Sequence, residues 1–202
     1  VEWAYGRVTQ NGNEISIADV REGDEEIGLI AGNGVSAFYS FSNGISGYFE
    51  SHPQSVDITK STDTQLTRSS RSFGFEVHGT EGIISIRCSP VSEFYQYPHG
   101  QWVPDGIDGN WERIRIDDWD IRSDGSLYTA NERMHMSNKV IAREIHAAIL
   151  NDRDIENVSS GEDAVKALEM IMAIHESQIV GSRVYFPMKN RDNPYANWLK
   201  SE

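Results

Sequence analysis

Alternation of apolar and polar positions opens the chain. From Val1 to Thr9, the residues Val1, Trp3, Tyr5, Arg7 and Thr9 fall on one side and Glu2, Ala4, Gly6 and Val8 on the other, which predicts a strand. Asn11-Gly12 follows as a turn, and the acidic, glycine-containing residues 18–33 predict a loop. Val35 to Ser42 and Ile45 to Ser51 are rich in β-branched and aromatic residues, and Asn43-Gly44 between them suits a two-residue type I′ hairpin turn. Residues 52–72 are polar and predict a long loop or an irregular edge strand. A second hairpin joins Phe73 to His78 and Ile83 to Arg87 through Gly79-Thr80-Glu81-Gly82. Residues 89–110 hold Pro90, Pro98 and Pro104 and predict a connection; Trp111 to Trp119 alternates as one more strand.

The period then changes. Asn131 to Asp152 reads as a helix with Ile141, Ile145, Ala148 and Ile149 on one apolar stripe. Ser159-Ser160-Gly161-Glu162 fits a capping box for a second helix running to Val180, in which Ser159 and Glu162 satisfy each other's free N–H groups. Its stripe is Ala164, Leu168, Ile171, Met172, His175 and Ile179, and Gly181 ends it. Ser182 to Phe186 predicts a closing strand. Strands and helices are segregated along the chain, so the expected class is α+β, with an open, mainly antiparallel sheet and helices on one face. The other face then needs cover and is available for oligomerisation. Residues 1–187 are expected to form one domain and 188–202 a polar tail, in which Tyr195, Trp198 and Leu199 are the exceptions.

Composition narrows the functions. The 202 residues include 31 Asp and Glu against 18 Lys and Arg, a formal net charge of -13. That field repels phosphate backbones and anionic membranes, so neither nucleic acid nor membrane is an expected partner. No apolar run approaches the roughly 20 residues of a membrane helix. A single cysteine, Cys88, excludes an intrachain disulfide and a cysteine zinc cluster, and the expected compartment is cytoplasmic. The sequon Asn157-Val158-Ser159 carries weight only in a secreted chain. The chain begins at Val1, without Met, on a predicted strand, which points to a fragment or a processed product.

Several segments taken in order carry a family pattern: Val1-Glu2-Trp3-Ala4-Tyr5-Gly6-Arg7-Val8, Asn43-Gly44-Ile45-Ser46-Gly47-Tyr48-Phe49-Glu50, and Phe75-Glu76-Val77-His78-Gly79-Thr80-Glu81-Gly82-Ile83-Ile84-Ser85-Ile86. They continue through Glu144 to Ile149, Ser160-Gly161-Glu162-Asp163-Ala164, Ala167-Leu168-Glu169 and Gly181 to Pro187. Over residues 1–187 the chain resembles the C-terminal domain of the glucose–fructose oxidoreductase, inositol dehydrogenase and MocA (Gfo/Idh/MocA) family. The resemblance implies a parent enzyme that oxidises a sugar or polyol with NAD(P), bound by an N-terminal Rossmann domain. The present domain would then close over the sugar-like substrate and build a homodimer through its open sheet face. The family's Glu-Lys-Pro motif, which carries its catalytic lysine, is absent, as are its glycine-and-histidine motif and any G-x-G-x-x-G after a strand. No catalytic or cofactor-binding residue carries over, and the chain by itself is expected to bind no cofactor and to be inactive.

The remaining candidates are few. His135, between Met134 and Met136 at the start of the first helix, is the candidate substrate contact, against an ordinary helix-start side chain. His175 on the second helix's stripe reads as a core histidine, and His146 as exposed. Asp120 to Gly125 has only half the ligands of a calcium loop, with Arg122 at the third position and Asn131 at the twelfth, and reads as a turn. Asp24-Glu25-Glu26 reads as a solvated loop, so no metal site is expected. Cys88 has no neighbour that lowers a thiol pKa. Trp3, Tyr5, Phe38, Tyr39, Phe41, Tyr48 and Phe49 predict an aromatic sheet that serves core and dimer interface rather than sugar stacking. The competing reading is a stand-alone, non-enzymatic carbohydrate-binding or dimerisation module. No nucleophile elbow supports a hydrolase.

Overall fold

A computed structural model describes residues 1–24, 28–53, 73–88, 92–98, 111–156 and 158–201. Six strands come first: β1 (Trp3–Gln10), β2 (Asn13–Glu14), β3 (Arg21–Glu22), β4 (Leu29–Ile30), β5 (Gly34–Ser40) and β6 (Ser46–Ser51). Four more follow, β7 (Gly74–His78), β8 (Ile83–Cys88), β9 (Ser92–Tyr97) and β10 (Glu112–Ile114). The helices are α1 (Asp117–Asp120), α2 (Ala130–Leu150) and α3 (Gly161–Val180); β11 (Val184–Tyr185) and α4 (Pro194–Lys200) close the chain. The class is α+β, with open antiparallel sheets. The strands divide among a five-stranded sheet, a four-stranded sheet and the β3–β4 ribbon, where the sequence predicted one sheet. The chain forms two compact units, Val1–Ser55 with Ser159–Glu202, and Val56–Val158. Among the described residues, no helix is long and apolar enough to cross a membrane.

The first unit is built on β1. Its neighbours run β11-β1-β5-β6, with β2 also paired to β1. Alternation turns Ala4, Gly6 and Val8 toward α3, where Ala173, Ile174 and Ser177 are buried. Gly6 is required there: a Cβ would collide with Ile174 Cγ2 and lie 3.0 Å from the Ile174 carbonyl oxygen. β11 pairs with β1 at Trp3 and Ala4, and β2 at Thr9 and Gln10, so neither strand reaches the middle of that edge. Two helix side chains take over. Ser177 Oγ accepts from the Gly6 N–H at 3.0 Å and donates to the Ser182 carbonyl at 2.7 Å. Gln178 Oε1 accepts from the Val8 N–H at 2.8 Å. A helix thereby closes a strand edge that would otherwise leave donors unsatisfied.

Residues 188–202, expected to be a polar tail, contribute to this core. Asn193 caps α4 by accepting from the Tyr195 and Ala196 N–H groups, and its Nδ2 donates to the Leu29 carbonyl at 2.9 Å. Tyr195, 2 % exposed, joins Val8, Ala31, Tyr39, Ile174 and Met188 in one apolar cluster. The predicted loop 18–33 likewise supplies the β3–β4 ribbon and the buried Ala31.

The second unit holds the β10-β9-β8-β7 sheet, α1 and α2. β9 lies inside the segment expected to be a connection, because its Ser-Glu-Phe-Tyr-Gln-Tyr run was masked by flanking prolines. The strand expected over Trp111 to Trp119 is confined to Glu112–Ile114; at Asp117 the chain turns into α1, whose start is tied by the Ile116 N–H donating to Asp120 Oδ2 at 3.1 Å.

Both hairpins form as predicted in place. Asn43 and Gly44 take positive φ values of 66° and 77°, though within a three-residue loop, Ser42–Gly44. The Gly79 N–H donates to the Gly82 carbonyl at 2.9 Å to close the second. The helix stripes differ more. The capping box of α3 uses Ser160 and Asp163, one residue beyond Ser159 and Glu162. The face that α3 packs on the sheet is Ala173, Ile174 and Ser177; Leu168 and Ile171, on the predicted stripe, are 54 % and 51 % exposed. Small residues let helix and strand backbones approach, and that close approach selected the face, not summed hydrophobicity. On α2, Glu144 and Ala148 are buried while Ile141, Ile145 and Ile149 are exposed. Arg153 makes the burial of Glu144 tolerable, donating at 2.8 and 3.3 Å, and the Glu156 N–H adds a third bond at 3.0 Å.

Candidate functional site

Three places gather chemistry-bearing side chains. The first is the outer face of the five-stranded sheet, opposite α3. Strand register puts Trp3 beside Tyr185, and Tyr5, Phe38 and Tyr48 in one row across three strands. Trp3 stacks on Phe38 with centroids 5.2 Å apart, and Phe38 meets Tyr48 edge-on at 5.0 Å. The Arg183 guanidinium lies 4.0 Å above the Trp3 ring, a cation–π contact. Tyr48, Tyr185 and Tyr5 remain 79 %, 63 % and 47 % exposed. Arg7 and Glu50 share a further row through Ser36, so this face carries both signs of charge around an aromatic centre. Clustered apolar surface of this kind marks a place that binds something. Of the seven aromatics singled out in the sequence, Tyr39 and Phe49 fall on the opposite face by register, Tyr39 is buried in the core, and Phe41 packs against that core.

The second place is the pair His175 and Tyr195. His175 Nδ1 and the Tyr195 hydroxyl are 2.7 Å apart, and that hydroxyl is 3.4 Å from the Ala31 carbonyl oxygen. Burial lowers the His175 pKa and raises that of Tyr195. The imidazole is therefore neutral at neutral pH, and the pair ties α4 to α3. This matches the reading of His175 as a core histidine.

The third place is a cleft in the second unit, with about 30 Å³ of space, lined by Arg113, Arg115, Asp120, Leu127, Tyr128 and Arg133. The local sequence explains how these residues meet. Arg113 and Arg115 are two apart, on the end of β10 and just beyond it. Ile121 bridges to Leu127, and the turn between them is closed by the Arg122 N–H donating to the Ser126 carbonyl at 2.7 Å. That turn is the segment read as a failed calcium loop, and its Asp124 carboxylate accepts from the Ser126 N–H and hydroxyl. These bonds hold the Asp124 pKa below its ordinary value. Thr129 and Glu132 form the capping box of α2, and Arg122 donates to Glu132 at 2.6 Å. Hydrogen bonds from Thr129, then from Arg122, lower the Glu132 pKa to about 2. The turn and the first helical turn are thereby locked together, which fixes Tyr128 and Arg133.

Within the cleft, Arg133 Nη1 donates to Asp120 Oδ1 at 2.9 Å, with both side chains mostly buried. Arg133 Nε is buried and has no hydrogen-bond partner among the described residues. A buried, unmatched donor of this kind costs on the order of 1–3 kcal/mol. Arg113 pairs with Glu93 at 3.1 Å. Arg115 is exposed and makes no ion pair among the described residues. Among the described residues, the cleft therefore combines a guanidinium outside any ion pair with a buried donor that has no partner, in a chain whose net charge is -13.

His135 lies on α2 two residues beyond Arg133, is exposed, and does not line the cleft. His146 is exposed, as read from the sequence. Cys88 ends β8. Glu25, Glu26 and Asn157, most of the polar segment 52–72 and most of the connection 89–110 lie outside the described residues. The sequence reading passed over Arg113, Arg115, Tyr128 and Arg133. The Arg-Ile-Arg spacing of 113–115 was a usable signal, since alternation puts both guanidiniums on one side. Nothing in the sequence tied them to Arg133. With this geometry in hand, comparison with known proteins adds no family: no protein-family model, no curated protein and no solved structure matches the chain.

Proposed function

We propose that this chain is the substrate-side and assembly domain of an NAD(P)-dependent sugar or polyol oxidoreductase of the Gfo/Idh/MocA type. A nucleotide-binding Rossmann domain supplies the cofactor, and the present chain has no turnover by itself. The observation that carries the reading is the five-stranded antiparallel sheet, covered by α3 on one face and aromatic and open on the other. In this reading the open face is the homodimer interface. Its occupant is a second copy, because Arg7, Arg183 and Glu50 lie on one surface, and a face bearing both signs is able to pair with itself. His135 is the proposed contact to a sugar hydroxyl, and the compartment is cytoplasmic.

Sequencing the gene upstream of the Val1 codon tests the parentage. A continuous frame containing G-x-G-x-x-G and Glu-Lys-Pro is expected; a start codon at that position, with no such frame, removes the oxidoreductase reading. NAD(P)-linked turnover by the isolated chain refutes its proposed incompetence. Light scattering at micromolar concentration is expected to give a dimer mass, and Tyr48→Arg a monomer.

The exposed rings of Tyr5 and Tyr48 favour one second reading, a carbohydrate-binding module, since flat aromatic rows stack on sugar rings. Saturable binding of an oligosaccharide by a monomer, lost in Tyr48→Ala, would select it over the dimer.

A further inference from the structure

The cleft at the start of α2 has features that neither the fold nor the proposed dimer uses. Arg115 projects from the end of β10 with no ion-pair partner among the described residues. Arg133 is held by Asp120, and its Nε is buried without a hydrogen-bond partner among the described residues. Asp120 is itself held by the Ile116 N–H at 3.1 Å, so the guanidinium is fixed before any ligand arrives. Tyr128 and Leu127 complete the walls. Three guanidiniums and one carboxylate line the cleft, and among the described residues acidic partners are seen for Arg113 and Arg133.

We propose that this cleft is an oxyanion site, which takes the carboxylate or phosphate end of a small-molecule ligand. Arg115 supplies the exposed charge and fork-shaped donors, and the Arg133 guanidinium, fixed by Asp120, supplies a second positive charge at the wall. Guanidinium forks match both oxyanions in geometry, and a fixed guanidinium loses little freedom on binding. The space of about 30 Å³ is small, so it admits the charged end while the rest of the ligand stays outside. The ligand is therefore anionic, in contrast to a neutral sugar, and the site stands whether or not the chain belongs to an oxidoreductase.

The test is isothermal titration of the whole chain with inorganic phosphate, with gluconate as the carboxylate probe and with glucose as the neutral control. Arg115→Gln is the decisive variant, because Arg115 is exposed and its loss leaves the buried Asp120–Arg133 pair intact. Lys139→Gln, an exposed charge farther along α2, controls for general electrostatics. The expected result is saturable, one-to-one binding of phosphate or gluconate, weakened at least about tenfold in Arg115→Gln, a loss of about 1.4 kcal/mol, and unchanged in Lys139→Gln. Binding of phosphate alone assigns a phosphorylated ligand, gluconate alone an acid, and mutual displacement a site for either. Absence of saturable binding by both anions overturns the proposal. So does binding that Arg115→Gln leaves unchanged, or that both variants weaken alike.

Discussion

Around β1, the first unit buries Ala4, Val8, Ile15, Ala31, Ala37, Tyr39, Ala173, Ile174, Met188 and Tyr195 against one another. Around β8, the buried apolar residues of the second unit are Ile83, Tyr97 and Ala148 among those described. What the second unit has in their place is charge. Glu76 with Arg87, Glu93 with Arg113, Asp120 with Arg133, Arg122 with Glu132, and Glu144 with Arg153 pin its strands, turn and helix. One unit is held mainly by burial, which is insensitive to salt and gains roughly 25 cal/mol per Å². The other leans on ion pairs, each worth about 0–1 kcal/mol when exposed and more when buried. The difference teaches where to look for binding. A region that places arginines for structure also has guanidinium donors to offer a ligand, and the cleft lined by Arg113, Arg115 and Arg133 is where three of them gather.

Removing a ring from the apolar unit should have the largest effect. Tyr195→Ala is expected to destabilise the first unit by about 3–5 kcal/mol and to release α4, seen as loss of amide protection in α3 and α4 with β7–β9 unchanged. Equal loss in both units would break the contrast. Next comes the buried pair: Asp120→Ala leaves Arg133 uncompensated and should cost the second unit about 3 kcal/mol, read as faster exchange in the first turns of α2. Ser177→Ala removes the acceptor of the Gly6 N–H and should cost about 1–3 kcal/mol, confined to β1 and α3. Raising salt to about 1 M, where the screening length is about 3 Å, should loosen the second unit and leave the first unaffected.

The smallest effect is pH dependence in the first unit. Burial lowers the His175 pKa, so the unfolded chain binds the proton first as pH falls. Stability is full above about pH 6.5, the unfolded histidine value, and is lost as pH drops from there through the folded value. His175→Gln should flatten that slope in melts followed from pH 7.5 down to about pH 5. An unchanged slope would show that His175 does not couple α4 to α3.

Much of the secondary structure was legible in the chain itself. The strand at Val1 to Thr9, both hairpins, both long helices and the α+β class follow from period, turn residues and caps, which act between neighbours in sequence. Asn43-Gly44 is a case in point: its backbone preference needs no partner. The faces were not legible. α3 offers two apolar sides, and the one chosen depends on how closely Gly6 lets the backbones approach. α2 buries Glu144 because Arg153 lies within reach, a fact about space. The tail is core because Asn193 and Tyr195 find the Leu29 and Ala31 carbonyls across a sequence separation of 164. The arginine cleft belongs with these, since β10, the turn at Asp124 and the start of α2 contribute one or two residues each. Local periodicity determined which elements exist; tertiary packing alone decided which sides they hide and which donors they leave unused, because burial and hydrogen bonding are settled between residues distant in sequence.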